Sequence, residues 1–180
     1  RIIRMKILAV LLGPAGVGII GIFDSITGMV NTVSGMGIGT SGVRQISEAN
    51  ASGNKEKIDR TIIALRKTSI FTGIFGLLFM VLLSHNISLL TFGDTKHVVE
   101  LVLLSITILF TAVTSGQTAL IQGMQRIKDL AAISILGALW GTVFSIPIVY
   151  FFKERGIVFF LIIVSAMSFI TSWWFSRKIK

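Results

Sequence analysis

The chain alternates long apolar runs with short polar stretches, and the runs are long enough to matter. Crossing a hydrocarbon layer of about 30 Å takes roughly 20 helical residues. Five runs meet that length: about Val17 to Val43, Thr68 to Leu90, Val98 to Ile121, Leu130 to Phe152 and Ile157 to Phe175. An earlier apolar stretch, Ile7 to Leu12, is too short to span and reads as the tail of a helix that begins upstream. It is separated from the first full span by Gly13-Pro14-Ala15-Gly16, a turn signal in which Pro fixes φ and the glycines permit tight geometry. The pattern predicts an all-α protein: a polytopic helix bundle with five full transmembrane helices plus the end of another, residues 1–180 forming a single transmembrane domain.

The segments between the spans carry most of the charge. Arg44 to Lys67 reads as a polar loop, within which Asn54 caps a short interfacial helix bearing Ile58, Ile62 and Leu65 on one face. Gly93-Asp94-Thr95-Lys96, Gln122 to Asp129 and Lys153-Glu154-Arg155-Gly156 read as short turns, which make consecutive helices antiparallel neighbours. Pro147 is expected to kink the fourth span. Trp173 and Trp174 followed by Arg177, Lys178 and Lys180 form an interface anchor.

Composition agrees with this picture. Apolar residues make up 53% of the chain and charged residues only 14%, and the net charge is +9. The cations collect between spans, where they hold topology and meet anionic headgroups, so nucleic acid is not an expected partner. The 44–67 segment, the 126–128 link and the C-terminal cluster hold eleven Lys/Arg against six on the other side, so 44–67 and the C-terminus are expected to be cytoplasmic. There are no cysteines, and the two histidines, His85 and His97, read as interfacial or loop residues. No metal, cofactor or catalytic residue is expected, and no enzyme activity, because no nucleophile–base pair stands out.

Two glycine motifs need weighing. Gly37-Ile38-Gly39-Thr40-Ser41-Gly42 matches the dinucleotide-binding pattern letter for letter, but that motif works only between a buried strand and a helix, and no strand precedes it. The glycines are better read as thinning a helix for close packing, since Gly35 and Gly39, and again Gly137 and Gly141, are four apart. Among polar residues, Asp24 is the one acid well inside a predicted span, and Asn31 lies two turns along. Ionisable groups at such depth are candidates for a substrate or ion pathway, or else sit solvated near the headgroups. Arg44, at the end of the first span, and Arg126, in the link, are candidate contacts for a phosphate or ordinary positive-side anchors. Gln117, Gln122 and Gln125 are either a polar stripe towards a lumen or the mark of a helix emerging into water.

Three stretches carry a resemblance. Lys6 to Gly18, with Gly13, Pro14, Gly16 and Gly18, is similar to the first extracytoplasmic turn of the O-antigen translocases, or polysaccharide biosynthesis proteins, of the multidrug/oligosaccharidyl-lipid/polysaccharide exporter superfamily. Gly35 to Ala49, with Gly39 and the Arg44-Gln45-Ile46-Ser47-Glu48-Ala49 segment, resembles the end of that family's second helix, and Gln122 to Ile127 resembles the link after its fourth. The resemblance implies that the full spans are helices two to six of a two-lobed bundle, this chain being most of the N-terminal lobe. It implies a multi-pass protein of the bacterial inner membrane that moves an undecaprenyl-diphosphate-linked oligosaccharide outward by alternating access. Membrane lipids and glycan polymerases or glycosyltransferases are the other partners implied. On this reading Asp24, Asn31, Arg44, Gln117 and Arg126 are the substrate-pathway candidates. A cell-wall precursor flippase or drug exporter of the same superfamily, and a non-transporting scaffold for glycan-assembly enzymes, remain alternatives.

Overall fold

The computed structural model describes residues 2–152 and 156–178, and all regular structure among them is helical. In chain order the helices are α1 (Ile2–Gly35), α2 (Ile38–Ala51), α3 (Lys55–Phe92), α4 (Val98–Gly123), α5 (Ile127–Phe152) and α6 (Gly156–Ser176). All but α2 are long and apolar enough to cross a membrane. The turn expected at Lys153-Glu154-Arg155 lies outside the described residues, as do Arg1 and Lys180.

The last three spans begin and end within a few residues of the runs that predict them. The first two differ. Residues 2–12 and the first full span are two helical stretches that meet at Gly13, whose backbone (φ 70°, ψ −177°) is not helical, so α1 is broken where the turn signal stands. Pro14 stands just after the break, where its missing N–H has no helical acceptor to forgo.

The span expected to run to Val43 stops at Gly35. Met36 (φ 43°) and Gly37 (φ 72°) are both left-handed, and a separate helix starts at Ile38. Its first turn is tied down by the Thr40 and Ser41 hydroxyls, each donating to the Gly37 carbonyl at 3.0 Å. Gly35 and Gly39 therefore sit on different helices and form no shared packing stripe. The apolar run hid a change of period: in α2 only Gly42, Ile46 and Ala49 are buried, three or four apart, and the other faces are polar. A β-branched side chain at a left-handed position costs about 1–2 kcal/mol. Gly37→Val is thus expected to lower the thermal midpoint in detergent. Gly35→Ala, whose added carbon would meet nothing within 4 Å, should not lower it.

The segment 44–67 is helical on both sides of a short connection at 52–54, not a loop. Asn54 caps as expected, its side chain accepting from the Lys57 N–H at 3.3 Å. The helix it opens is not a separate interfacial piece, however, and runs unbroken to Phe92.

α4 is the central helix, packed against α3, α6, α2 and α1. Its seam with α3 is built from small residues, with Gly73, Gly76 and Gly116 facing Leu109, Ile108 and Ser69 across it. Close backbone approach of this kind replaces the hydrophobic drive that lipid cannot supply. One apolar cluster (Ile46, Ile62, Leu65, Leu120, Ile133 and Phe175 among its members) joins α2, the start of α3, the end of α4, the start of α5 and the end of α6. The Ser47 hydroxyl donates to Gly123 O (3.2 Å) and Arg66 to Ser176 O (3.2 Å) at the same end. The three basic segments thus share one end of the bundle, as antiparallel neighbours require. Outward faces are apolar: Phe71 is 71% exposed and Leu82 78%, which only a lipid surround makes reasonable.

Candidate functional site

Although consecutive, α4 and α5 barely touch. α6 packs against both and holds them apart. The gap is a cavity of about 1370 Å³, walled by α1, α2, α4, α5 and α6. A wall of lipid-like side chains would make this an ordinary void. Instead α4 contributes Thr107, Thr111, Thr114, Ser115, Thr118 and Gln122, each three or four residues from another of the set and so along one side of the helix. Across from them stand Ser134 and Thr142 of α5 and Ser165 and Ser168 of α6.

α1 supplies the rest. Asp24, Thr27, Gly28 and Asn31 line the cavity, which places the two polar candidates of the first span on a single wall, two turns apart. Asn31 is fixed there, its amide donating to the Thr111 hydroxyl at 2.6 Å and so bridging α1 to α4. At the basic end α2 closes the wall with Gly39, Thr40 and Val43. The Thr114 hydroxyl oxygen is buried and has no hydrogen-bond partner among the described residues.

The other candidates lie elsewhere. Gln117 points away from the cavity into the α4–α6 seam, where it is buried and accepts from the Ser172 hydroxyl. Arg44 projects from α2 with its side chain 82% exposed and pairs with Glu48 at 2.8 Å. The Glu48 carboxylate, by its hydrogen bond and then by its charge, holds the guanidinium above its already high ordinary value. Arg126 pairs with Asp129 at 2.6 Å at the start of α5. Neither arginine lines the cavity.

The structure therefore brings together Asp24 and Asn31 and adds the α4 hydroxyl face, which sequence reasoning passed over. The signal was present: serine and threonine recur at helical spacing through an otherwise apolar span. Among the described residues no three His, Cys, Asp or Glu side chains gather as a metal site would require. His97 bonds Glu100 at 2.6 Å and packs against the Phe92 ring at a 32° tilt, with ring centroids 4.1 Å apart, at the end of the bundle away from the basic segments.

These features define a multi-pass membrane protein with apolar outer faces and a half-open polar cleft between its helices. The chain belongs to the polysaccharide biosynthesis protein family, whose model matches residues 1–180. No curated protein and no solved structure matches it.

Proposed function

We propose that the chain takes part in flipping a lipid-linked oligosaccharide, such as an undecaprenyl-diphosphate glycan, across a bacterial inner membrane by alternating access. One observation carries this reading: a half-open cleft lined by hydroxyl and amide side chains, between helices whose outer faces are apolar. Polar side chains facing a cavity at membrane depth are expensive unless water or a polar ligand meets them. A glycan is such a ligand, while its lipid tail can remain in the bilayer. No bond is made or broken in such a step, so no catalytic group is needed. The basic end, with Arg44, Arg66, Arg126 and the C-terminal cations, is assigned to the cytoplasmic side, where these charges meet anionic headgroups.

Vesicle reconstitution tests the reading, with the chain by itself and within the two-lobed protein that the family resemblance implies. A lipid-linked oligosaccharide is placed in both leaflets and an impermeant glycosidase is added outside. Digestion is expected to proceed beyond the outer-leaflet share towards the whole pool. Digestion that stops at the outer-leaflet share in both preparations overturns the proposal.

A further inference from the structure

The basic end of the bundle is not uniform. Arg44, Arg60 and Arg126 are engaged by Glu48, Glu56 and Asp129. Arg66 and Arg177 differ, since neither forms an ion pair among the described residues. Arg66 belongs to α3, yet its Nη2 donates to the Ser176 carbonyl of α6 at 3.2 Å, so the side chain reaches from one helix to the other. A guanidinium has five N–H donors, and this bond uses one of them. Arg177 follows Ser176 directly and lies over the Trp173 ring, 6.0 Å from its centroid. The two guanidiniums therefore occupy one corner, where α3 meets the end of α6.

Elsewhere α3 and α6 scarcely touch, because α4 lies between them and packs on both. Neighbouring α4 residues face the two in turn. Leu109 meets Gly73 of α3 while Phe110 stacks on Phe169 of α6, with centroids 5.4 Å apart. Two turns on, Gly116 meets Ser69 of α3 while Gln117 accepts from Ser172 of α6. Successive helical residues are about 100° apart, so α3 and α6 flank adjacent faces of α4. Ile106, Val113 and Leu120, seven apart, fall between those faces and form the floor of a groove. Leu120 is fully buried, Val113 is 8% exposed and Ile106 37%. The groove is thus closed at the basic end, where Arg66 crosses it, and opens towards mid-membrane. None of its three floor residues lines the polar cleft.

We propose that this groove holds one anionic phospholipid of the surrounding leaflet, its phosphate on Arg66 and Arg177 and one acyl chain laid along the α4 floor. The two ends of the groove ask for opposite chemistry, and such a lipid supplies both. Guanidiniums without an acid partner at the closed end suit phosphate oxygens, which they can grip in pairs. The open end is apolar and suits hydrocarbon. A zwitterionic headgroup would carry its own cation towards the two arginines, which removes the net attraction. Ile106 to Leu120 covers roughly 21 Å at 1.5 Å per residue, more than the depth of about 15 Å that one leaflet's hydrocarbon provides. The bound lipid ties α3 to α6 along the line where they lack contacts of their own. This site lies outside the cleft and does not depend on what the cleft carries, so it stands or falls separately from the flippase reading.

Native mass spectrometry of the chain, titrated in detergent with phosphatidylglycerol or phosphatidylcholine of equal chain length, tests the site. One phosphatidylglycerol is expected to be retained per chain, about tenfold more tightly than phosphatidylcholine. Arg66→Gln with Arg177→Gln should weaken phosphatidylglycerol about tenfold and leave phosphatidylcholine unchanged. Lys55→Gln with Lys57→Gln removes the same charge from the same end but away from the groove, and should stay within about twofold. Ile106→Trp fills the open end without changing charge and should weaken phosphatidylglycerol by about threefold. Circular dichroism checks each fold. Should the double arginine variant not fold, Arg177→Gln alone, at an exposed position, is expected to cost about threefold. Equal retention of the two lipids overturns the proposal. So does a loss in the lysine pair as large as in the arginine pair, which would mean diffuse attraction to the whole basic end. Undecaprenyl phosphate displacing phosphatidylglycerol at equal concentration also overturns it, because the groove would then belong to a carrier lipid.

Discussion

Gly116→Leu is expected to keep α3 and α4 from seating, and even Gly116→Ala should destabilise the bundle. A carbon added at Gly116 would overlap the Ser69 hydroxyl and come 2.7 Å from the Ser69 Cβ. Rotation can relieve the hydroxyl, but the Cβ position does not depend on a rotamer. Ordinary carbon contact is about 3.5–4.0 Å, so the two backbones have to move apart by roughly an ångström. Ser69 is 1% exposed and already bonded to Leu65 O at 2.8 Å, which leaves no open space to retreat into. Separation at this point would also loosen Gly73 from Leu109 and Gly76 from Ile108 along the same seam. Alanine gains about 1 kcal/mol of helix propensity over glycine. Overpacking typically costs about 1–3 kcal/mol, so the overlap wins for alanine and far outweighs propensity for leucine. Thermal unfolding followed by circular dichroism in detergent checks this, with a lowered midpoint for alanine and little folded protein for leucine. Adding Ser69→Gly to Gly116→Ala transfers the small residue across the seam and should recover most of the loss. An unchanged midpoint for Gly116→Leu would show that the seam is not packed this way.

That seam is hidden in the sequence for a physical reason. The glycine pairs that stand out there, Gly35 with Gly39 and Gly137 with Gly141, do so by their spacing along the chain. The close approaches instead involve Gly73, Gly76, Gly116 and Gly123, which matter because of what stands opposite on another helix. Spacing along one helix is local and visible, whereas the partner across a seam is set by tertiary packing. The same division runs through the rest. The bounds of the last three spans, the Asn54 cap and the gathering of basic segments at one end were legible because each follows from local chemistry or chain connectivity. The break at Met36-Gly37 was not, since a run of small and apolar residues carries no period change until Arg44, Gln45 and Glu48 are counted with Ile46. For the cavity, Asp24 and Asn31 stood out as polar residues in an apolar span. The α4 threonines did not, because a threonine that satisfies its own backbone is ordinary in a helix. Arg44 and Arg126 stood out as cations, yet Glu48 and Asp129, three or four residues further on, engage them.

Gly137→Phe is expected to block passage through the cavity while leaving the bundle folded. Gly137 lies on the α5 wall, and an added carbon there would meet only the Ser168 hydroxyl, at an ordinary 3.7 Å. No overlap has to be relieved and no left-handed backbone is involved, in contrast to Gly116 and Gly37. Phenylalanine would extend into open volume, towards the Ser165 and Ser168 hydroxyls of α6. It replaces room for a hydrated ligand with an apolar ring that offers neither donor nor acceptor. A drop of roughly tenfold or more in flipping rate is expected, the equivalent of about 1.4 kcal/mol in the barrier. The thermal midpoint should stay near that of the unmodified protein. Leu139→Phe, on the same helix but 51% exposed on the outer face, is the matched control and should change neither property. The glycosidase-accessibility assay reads the rate and circular dichroism reads the fold. If Gly137→Phe supports flipping at the unmodified rate with the fold intact, the glycan does not pass along the α5 wall, and the cavity loses its assigned role. Loss of flipping in both variants would point to general perturbation of α5. Loss in Gly137→Phe alone ties transport to this wall, since the two substitutions add an aromatic ring to the same helix and differ in the face it occupies.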